Sequence, residues 1–101
     1  LETVAVPDLL FYEIANALLF KKNVNSIMAR SALEFLAKTG LHAFSISPQE
    51  MFEVFEFARD FNITVYDASY AVLAKRLGCN FVTADKKLYQ KIESLKFVTL
   101  L

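Results

Sequence analysis

Apolar side chains crowd together near the start of the chain instead of alternating. In the stretch VPDLLFYEIANALLFKK, from Val6 to Lys22, only Tyr12, Glu13 and Asn16 are polar between Leu9 and Phe20. Such a run, free of glycine and interior proline, predicts a helix that is apolar nearly all round and carries a carboxylate at its middle. Pro7 suits its first turn, where a missing N–H costs nothing, and Lys21 and Lys22 complement the negative end of the helix dipole. Asn23 and Asn25 mark a turn. A second helix follows over 26–38, with Ile27, Leu33, Phe35 and Leu36 as its apolar positions and Gly40 as its stop. The short alternation of HAFSIS, 42–47, predicts a strand.

Ser47-Pro48 opens a third helix, with Ser47 as cap, Pro48 in the first turn and Glu50 three residues beyond the cap. Glu50, Glu53 and Glu56 recur every third residue and read as a solvated face, with Met51, Val54, Phe55 and Ala58 on the opposite side. The remaining pattern predicts a loop to Tyr66, a helix from Asp67 to Leu77 stopped by Gly78, and a strand NFVTA over 80–84. A helix from Asp85 to about Ser94 and a final strand, KFVTLL, complete it. So short a link between the last two strands, with a helix inside it, calls for a parallel crossover. Helices alternating with buried-looking strands indicate an α/β domain of three layers, a parallel sheet flanked by helices, formed by residues 1–101 as a single unit.

Composition narrows this picture. A chain of 101 residues is enough for one small domain. Its 55% hydrophobic content points to a dense core or to an apolar surface covered by a partner, with Phe20, Phe52 and Phe57 as candidates for such a surface. No stretch approaches the roughly 18 apolar residues of a membrane span, and no signal-peptide pattern stands at the N-terminus. The single cysteine, Cys79, excludes an internal disulfide and fits a reducing cytoplasm. Eleven basic and eleven acidic residues cancel, so any nucleic-acid contact must come from a local patch. Lys75, Arg76, Lys86, Lys87 and Lys91, close in sequence to Asp67 and Asp85, supply local positive charge, as a phosphate contact or as a solvated helix surface.

Three carboxylates carry the candidate chemistry. Asp85 follows a strand and begins a helix, and in open α/β sheets ligands gather beyond the carboxyl ends of strands. Asp67 also begins a helix. Helix capping accounts for either residue, and a capping carboxylate can still turn one oxygen toward a cation. Glu13 must be paired, hydrated or metal-bound if its helix is buried, with Asn16 one turn along the same face. Acids brought together repel unless a cation sits among them. Oxygen ligands favour Mg²⁺ or Mn²⁺, and a lone His42 and Cys79 make no zinc site. Carboxylates holding divalent ions are suited to phosphodiester hydrolysis. His42 reads as a surface residue at a strand start, and Cys79 as a small apolar residue after a helix stop. The absence of a glycine-rich phosphate loop, and of a strand ending in paired acids, argues against a receiver-like or flavodoxin-like domain.

In order and spacing, VPDLLFYEIANALL, ITVYDASYAVLAKRLG and NFVTADKKL resemble the PIN-domain ribonucleases, the group that includes VapC-type toxins. The resemblance spans essentially the whole chain. It implies that Glu13, Asp67 and Asp85 are metal-site acids, that Thr83 is a supporting hydroxyl near the last of them, and that Asn16 accompanies the glutamate. It also implies that the chain begins after the family's first strand, which carries the first metal-binding aspartate. Asp8, at a helix opening, is no substitute for that residue. On this resemblance the central strand, expected between those at 42–47 and 80–84, is missing, and the chain is an N-terminally truncated fragment. Residues Leu1–Val6, a partner chain or an altered packing would then cover the gap.

The implied function is a Mg²⁺- or Mn²⁺-dependent endoribonuclease in the full-length parent, the toxin of a type II toxin–antitoxin pair, with this fragment inactive alone. It would be cytoplasmic, act on RNA, associate with an antitoxin, and form a homodimer or other homo-oligomer. The alternative is a non-catalytic PIN-like interaction or dimerisation module, in which the acids are caps and paired structural groups.

Overall fold

The computed structural model describes residues 4–101. It holds four short strands and five helices among these residues, divided into two compact units, the first ending at Ser45 and the second running from Ile46 to Leu101.

The first unit contains strand β1 (Ala5–Pro7), helices α1 (Leu9–Phe20) and α2 (Ser26–Ala37), and strand β2 (His42–Phe44). The two strands pair in parallel, with Ala5 opposite His42 and Pro7 opposite Phe44. Pro7 therefore ends a strand and does not open the helix. The ladder explains why proline is tolerated there. The amide of Asp8 donates to the Phe44 carbonyl, and that of His42 to the Val4 carbonyl. In a parallel ladder alternate residues bond to a given neighbour, so the position of Pro7 directs its N toward the other side and no β2 bond is lost. Of the stretch Leu1–Val6, expected as one cover for an open strand edge, Leu1–Thr3 lies outside the described residues, while Ala5 and Val6 belong to β1.

Helix α1 forms where the crowded pattern places it, but none of its residues is fully buried, and Tyr12, Leu19 and Phe20 are largely exposed. Glu13 is exposed as well, so the cost of burying a lone carboxylate does not arise. Asn25 caps α2, its Oδ1 accepting from the Met28 amide at 2.8 Å.

The second unit contains α3 (Pro48–Phe61), α4 (Val65–Leu77), β3 (Phe81–Thr83), α5 (Lys86–Ile92) and β4 (Val98–Leu100). Ser47 and Glu50 form a reciprocal capping box at the start of α3, as the Ser-Pro-x-Glu spacing predicts. Helix α4 starts two residues before the expected Asp67, because Thr64 caps it by accepting from the Asp67 amide at 3.0 Å. Gly78, at φ 67, ends α4 in the left-handed conformation. Strands β3 and β4 are parallel, Phe81 opposite Val98 and Thr83 opposite Leu100, with α5 as the crossover.

Val54, Phe57 and Ala58 of α3 meet Ala68, Ala71 and Val72 of α4, Leu88 and Ile92 of α5, and Val98 of β4. The buried stripe of α3 thus differs from the expected one. Met51 and Phe55 are exposed, and Phe57, expected at a partner surface, is only 9% exposed, its ring 4.6 Å from that of Phe61. The stripes 51/54/55/58 and 54/57/58/61 both have helical spacing and share Val54 and Ala58, so periodicity cannot separate them. Glu53 is paired with Lys75 at 3.2 Å, and Glu50 with Arg76. The acidic row of α3 is therefore tied to α4 at two of its three positions, leaving Glu56 on the solvated face.

Phe57→Ala is expected to lower unfolding free energy by about 3 kcal/mol in urea titrations. Phe52→Ala, at a position 74% exposed, is expected to change it by less than ~0.5 kcal/mol. The reverse order would reject this choice of buried stripe.

Candidate active site

Two helix starts place the second unit's candidate acids. At the end of α3 the chain reverses at Asn62, a non-glycine residue at φ 55, whose amide returns to the last turn of the helix. The Ile63 amide donates to the Ala58 carbonyl at 3.0 Å, closing the turn. Thr64 then caps α4 and leaves Asp67 as its third residue, half-buried, with its backbone N–H held by the Thr64 hydroxyl. A carboxylate in a first turn is favoured by the uncommitted N–H groups and the positive end of the helix. Asp67 is thus a first-turn acid and not the cap. The signal for this was the Thr-x-x-Asp spacing from Thr64 to Asp67, which has the form of a capping motif.

Asp85 is the cap of α5. Its Oδ1 accepts from the amides of Lys87 at 3.0 Å and Leu88 at 3.1 Å. Both recorded bonds fall on one oxygen, so Oδ2 stands outside the cap. The Asp85 amide donates to the Oγ1 of Thr83, 3.1 Å away. Thr83 is 9% exposed, and its carbonyl accepts from the Leu101 amide at 2.8 Å. The contact of the Thr83 hydroxyl is therefore with the backbone of Asp85. It sets the turn from strand to helix that aims the carboxylate.

Asp67 and Asp85 line the same open cleft of about 350 Å³, with Lys87 and Lys91 beside them and Ile63 and Leu88 contributing apolar wall. Lys91 donates from Nζ to the Asn62 carbonyl at 2.8 Å, linking α5 to the α3–α4 turn. Lys75 and Arg76 are engaged with α3 through Glu53 and Glu50 and do not line this cleft.

In the first unit, Glu13 and Asn16 lie one turn apart and line a shallow hollow of about 500 Å³ with Tyr12 and Leu19. Asp8, at the opening of α1, makes no cap bond and accepts from the Ser45 hydroxyl at 3.1 Å. His42 and Cys79 are exposed and line neither hollow. Within each unit, no three His, Cys, Asp or Glu side chains among the described residues stand close enough to hold a metal ion. The second unit instead presents two carboxylates. As an all-oxygen donor set they suit Mg²⁺ or Mn²⁺, since Mg²⁺ commonly takes one or two carboxylates and keeps several waters.

This is an α/β protein with short parallel strands and acids at helix starts, one of them beyond the carboxyl end of β3. Residues 1–93 match the family model described as PIN domain, and the chain belongs to that family. It is 30% identical over 95 residues to Ribonuclease VapC3 of Pyrobaculum aerophilum, covering 87% of this chain and 70% of that protein. It is 33% identical over 91 residues to Exonuclease VapC9 of the same organism, covering 89% of this chain and 68% of that one. The crystal structure of PAE2754 from Pyrobaculum aerophilum is similar at a TM-score of 0.73 and 30% identity, over 94% of this chain and 68% of that chain. No described helix is long and apolar enough to cross a membrane.

The cap geometry separates folding from chemistry at Asp85. Asparagine caps as well as aspartate, so Asp85→Asn is expected to leave unfolding free energy within ~0.5 kcal/mol of wild type, while Asp85→Ala loses about 1 kcal/mol. Paired thermal and urea denaturation of the two variants checks this.

Proposed function

We propose that this protein is a Mg²⁺- or Mn²⁺-dependent endoribonuclease of the VapC type, acting in the cytoplasm as the toxin of a type II toxin–antitoxin pair. The observation that carries this reading is the meeting of Asp67 and Asp85 in one cleft. Family membership and the printed names of the relatives, a ribonuclease and an exonuclease, support it.

When bound, a divalent ion supplies an activated water and neutralises charge on the leaving oxygen. The protein's part is to hold and aim its ligands. Asp85 commits Oδ1 to two backbone amides, and it would hold the ion with Oδ2, which stands outside the cap. Thr83 keeps the backbone of Asp85 in register, and Thr64 does the same for Asp67. Glu13, with Asn16 beside it, is assigned an ion-holding role through the match of its segment to the family.

A second reading is a non-catalytic interaction module, favoured by the exposed Tyr12, Leu19 and Phe20 of α1 and by Phe52 of α3. The two readings are compatible in part, because an antitoxin or a second copy of the chain would also meet such side chains.

Asp67→Asn and Asp85→Asn in the full-length protein are each expected to reduce Mn²⁺-dependent cleavage of single-stranded RNA by more than about a hundredfold, exceeding the usual loss for a residue that merely supports a ligand. Undiminished cleavage in both variants would reject the assignment. Calorimetric titration with Mn²⁺ separates the two readings. Saturable binding that weakens in both variants supports the nuclease, and its absence leaves the interaction module.

A further inference from the structure

The basic residues near the two aspartates divide by what they touch. Lys75 is paired with Glu53, and Arg76 with Glu50, so both charges face α3. Lys91 spends one donor on the Asn62 carbonyl and serves as a strut between α5 and the α3–α4 turn. Lys86 and Lys87 are exposed, and neither forms an ion pair among the described residues. Of these two, Lys87 lines the cleft that holds Asp67 and Asp85, and Lys86 does not.

An ammonium that borders a carboxylate pair without pairing with it keeps its charge for an incoming anion. The acids alone repel a phosphodiester, and a divalent ion that they held would act only on the phosphate it contacted. A neighbouring phosphate on the same strand still needs a cation of its own, and a lysine serves as a point charge for that purpose. The backbone of Lys87 is fixed, because its amide is one of the two held by Asp85 Oδ1. The residue that caps α5 with its carboxylate therefore also sets where the Lys87 side chain leaves the helix.

We infer that Lys87 binds a backbone phosphate of single-stranded RNA at the edge of the Asp67–Asp85 cleft and so positions the strand for cleavage. This rests on the nuclease reading above and adds to it the residue that engages the substrate backbone. Lys75 and Arg76 hold the helices together, and Lys91 keeps its charge but has its amine tethered to the Asn62 carbonyl, so Lys87 is the cleft lysine whose amine has no recorded tether among the described residues.

The test compares full-length wild type with Lys87→Ala, Lys87→Arg and Lys96→Ala, the last removing one exposed positive charge outside the cleft. Binding of a fluorescent single-stranded RNA oligonucleotide of mixed sequence is followed by anisotropy in EDTA across a salt series, and cleavage is followed with Mn²⁺. Lys87→Ala is expected to weaken binding on the order of threefold to tenfold and to reduce the salt slope by ~0.7, the value for one phosphate of a single strand. KM is expected to rise with little change in kcat, Lys87→Arg to restore both, and Lys96→Ala to follow wild type in slope. A wild type that binds and cleaves RNA, with Lys87→Ala indistinguishable from Lys96→Ala, overturns this inference alone. A wild type that neither binds nor cleaves overturns the nuclease reading and this inference together.

Discussion

Uncommitted N–H groups at the start of a helix need an acceptor, and in the second unit that need fixes where the candidate acids stand. Asp85 meets it directly by taking two amides of α5 on one oxygen, while the Thr83 hydroxyl takes the amide of Asp85 itself. Asp67 is placed indirectly, its amide held by the Thr64 cap. The Asp85 carboxylate cannot leave its position without breaking the cap, whereas for Asp67 it is the backbone that the Thr64 bond fixes. Two acids bordering one hollow repel each other, and the positive ends of two helices offset part of that cost. The same bonds that start the helices thus set two carboxylates on the border of one cleft.

The cleft exists because α3, α4 and α5 pack as they do. Two kinds of contact hold α3 against α4, and their magnitudes differ. The Glu53–Lys75 pair is more than half exposed on both sides, and pairs of that kind contribute roughly 0–1 kcal/mol. Burying Val54, Phe57 or Ile92 is worth about 1.5–3 kcal/mol for each side chain. The apolar stripe therefore sets the packing, and the ion pairs trim it. Ala68 and Ala71 of α4 share one buried cluster with Val54 and Phe57 of α3. The left-handed turn at Asn62 brings the chain back over a short distance, and Lys91 reaches that turn from α5.

Local signals were legible wherever one residue type answers one backbone need. Ser47-Pro48 with Glu50, Gly78 after α4 and Asp85 before α5 each mark a helix end, and each stands where its chemistry places it. Thr64 was a signal of the same kind, hidden by the aspartate three residues later, itself a good capping residue. Strand β1 was less legible, because a three-residue strand ending in proline carries no measurable alternation and proline argues against a strand. Only the direction of the neighbouring hydrogen bonds shows that Pro7 loses nothing there.

By itself the sequence determined the start of α3, the stop of α4, the start of α5 and the parallel crossover after β3, since each follows from the backbone chemistry of a few adjacent residues. Tertiary structure decided which of the two stripes of α3 is buried, since both satisfy the helical period and only the neighbouring helices distinguish them. It also decided which cations are engaged with acids and which border the cleft. Charge is readable from sequence, but pairing depends on distances between side chains more than twenty residues apart, as in Lys75 with Glu53, and those distances exist only after the apolar surfaces have met.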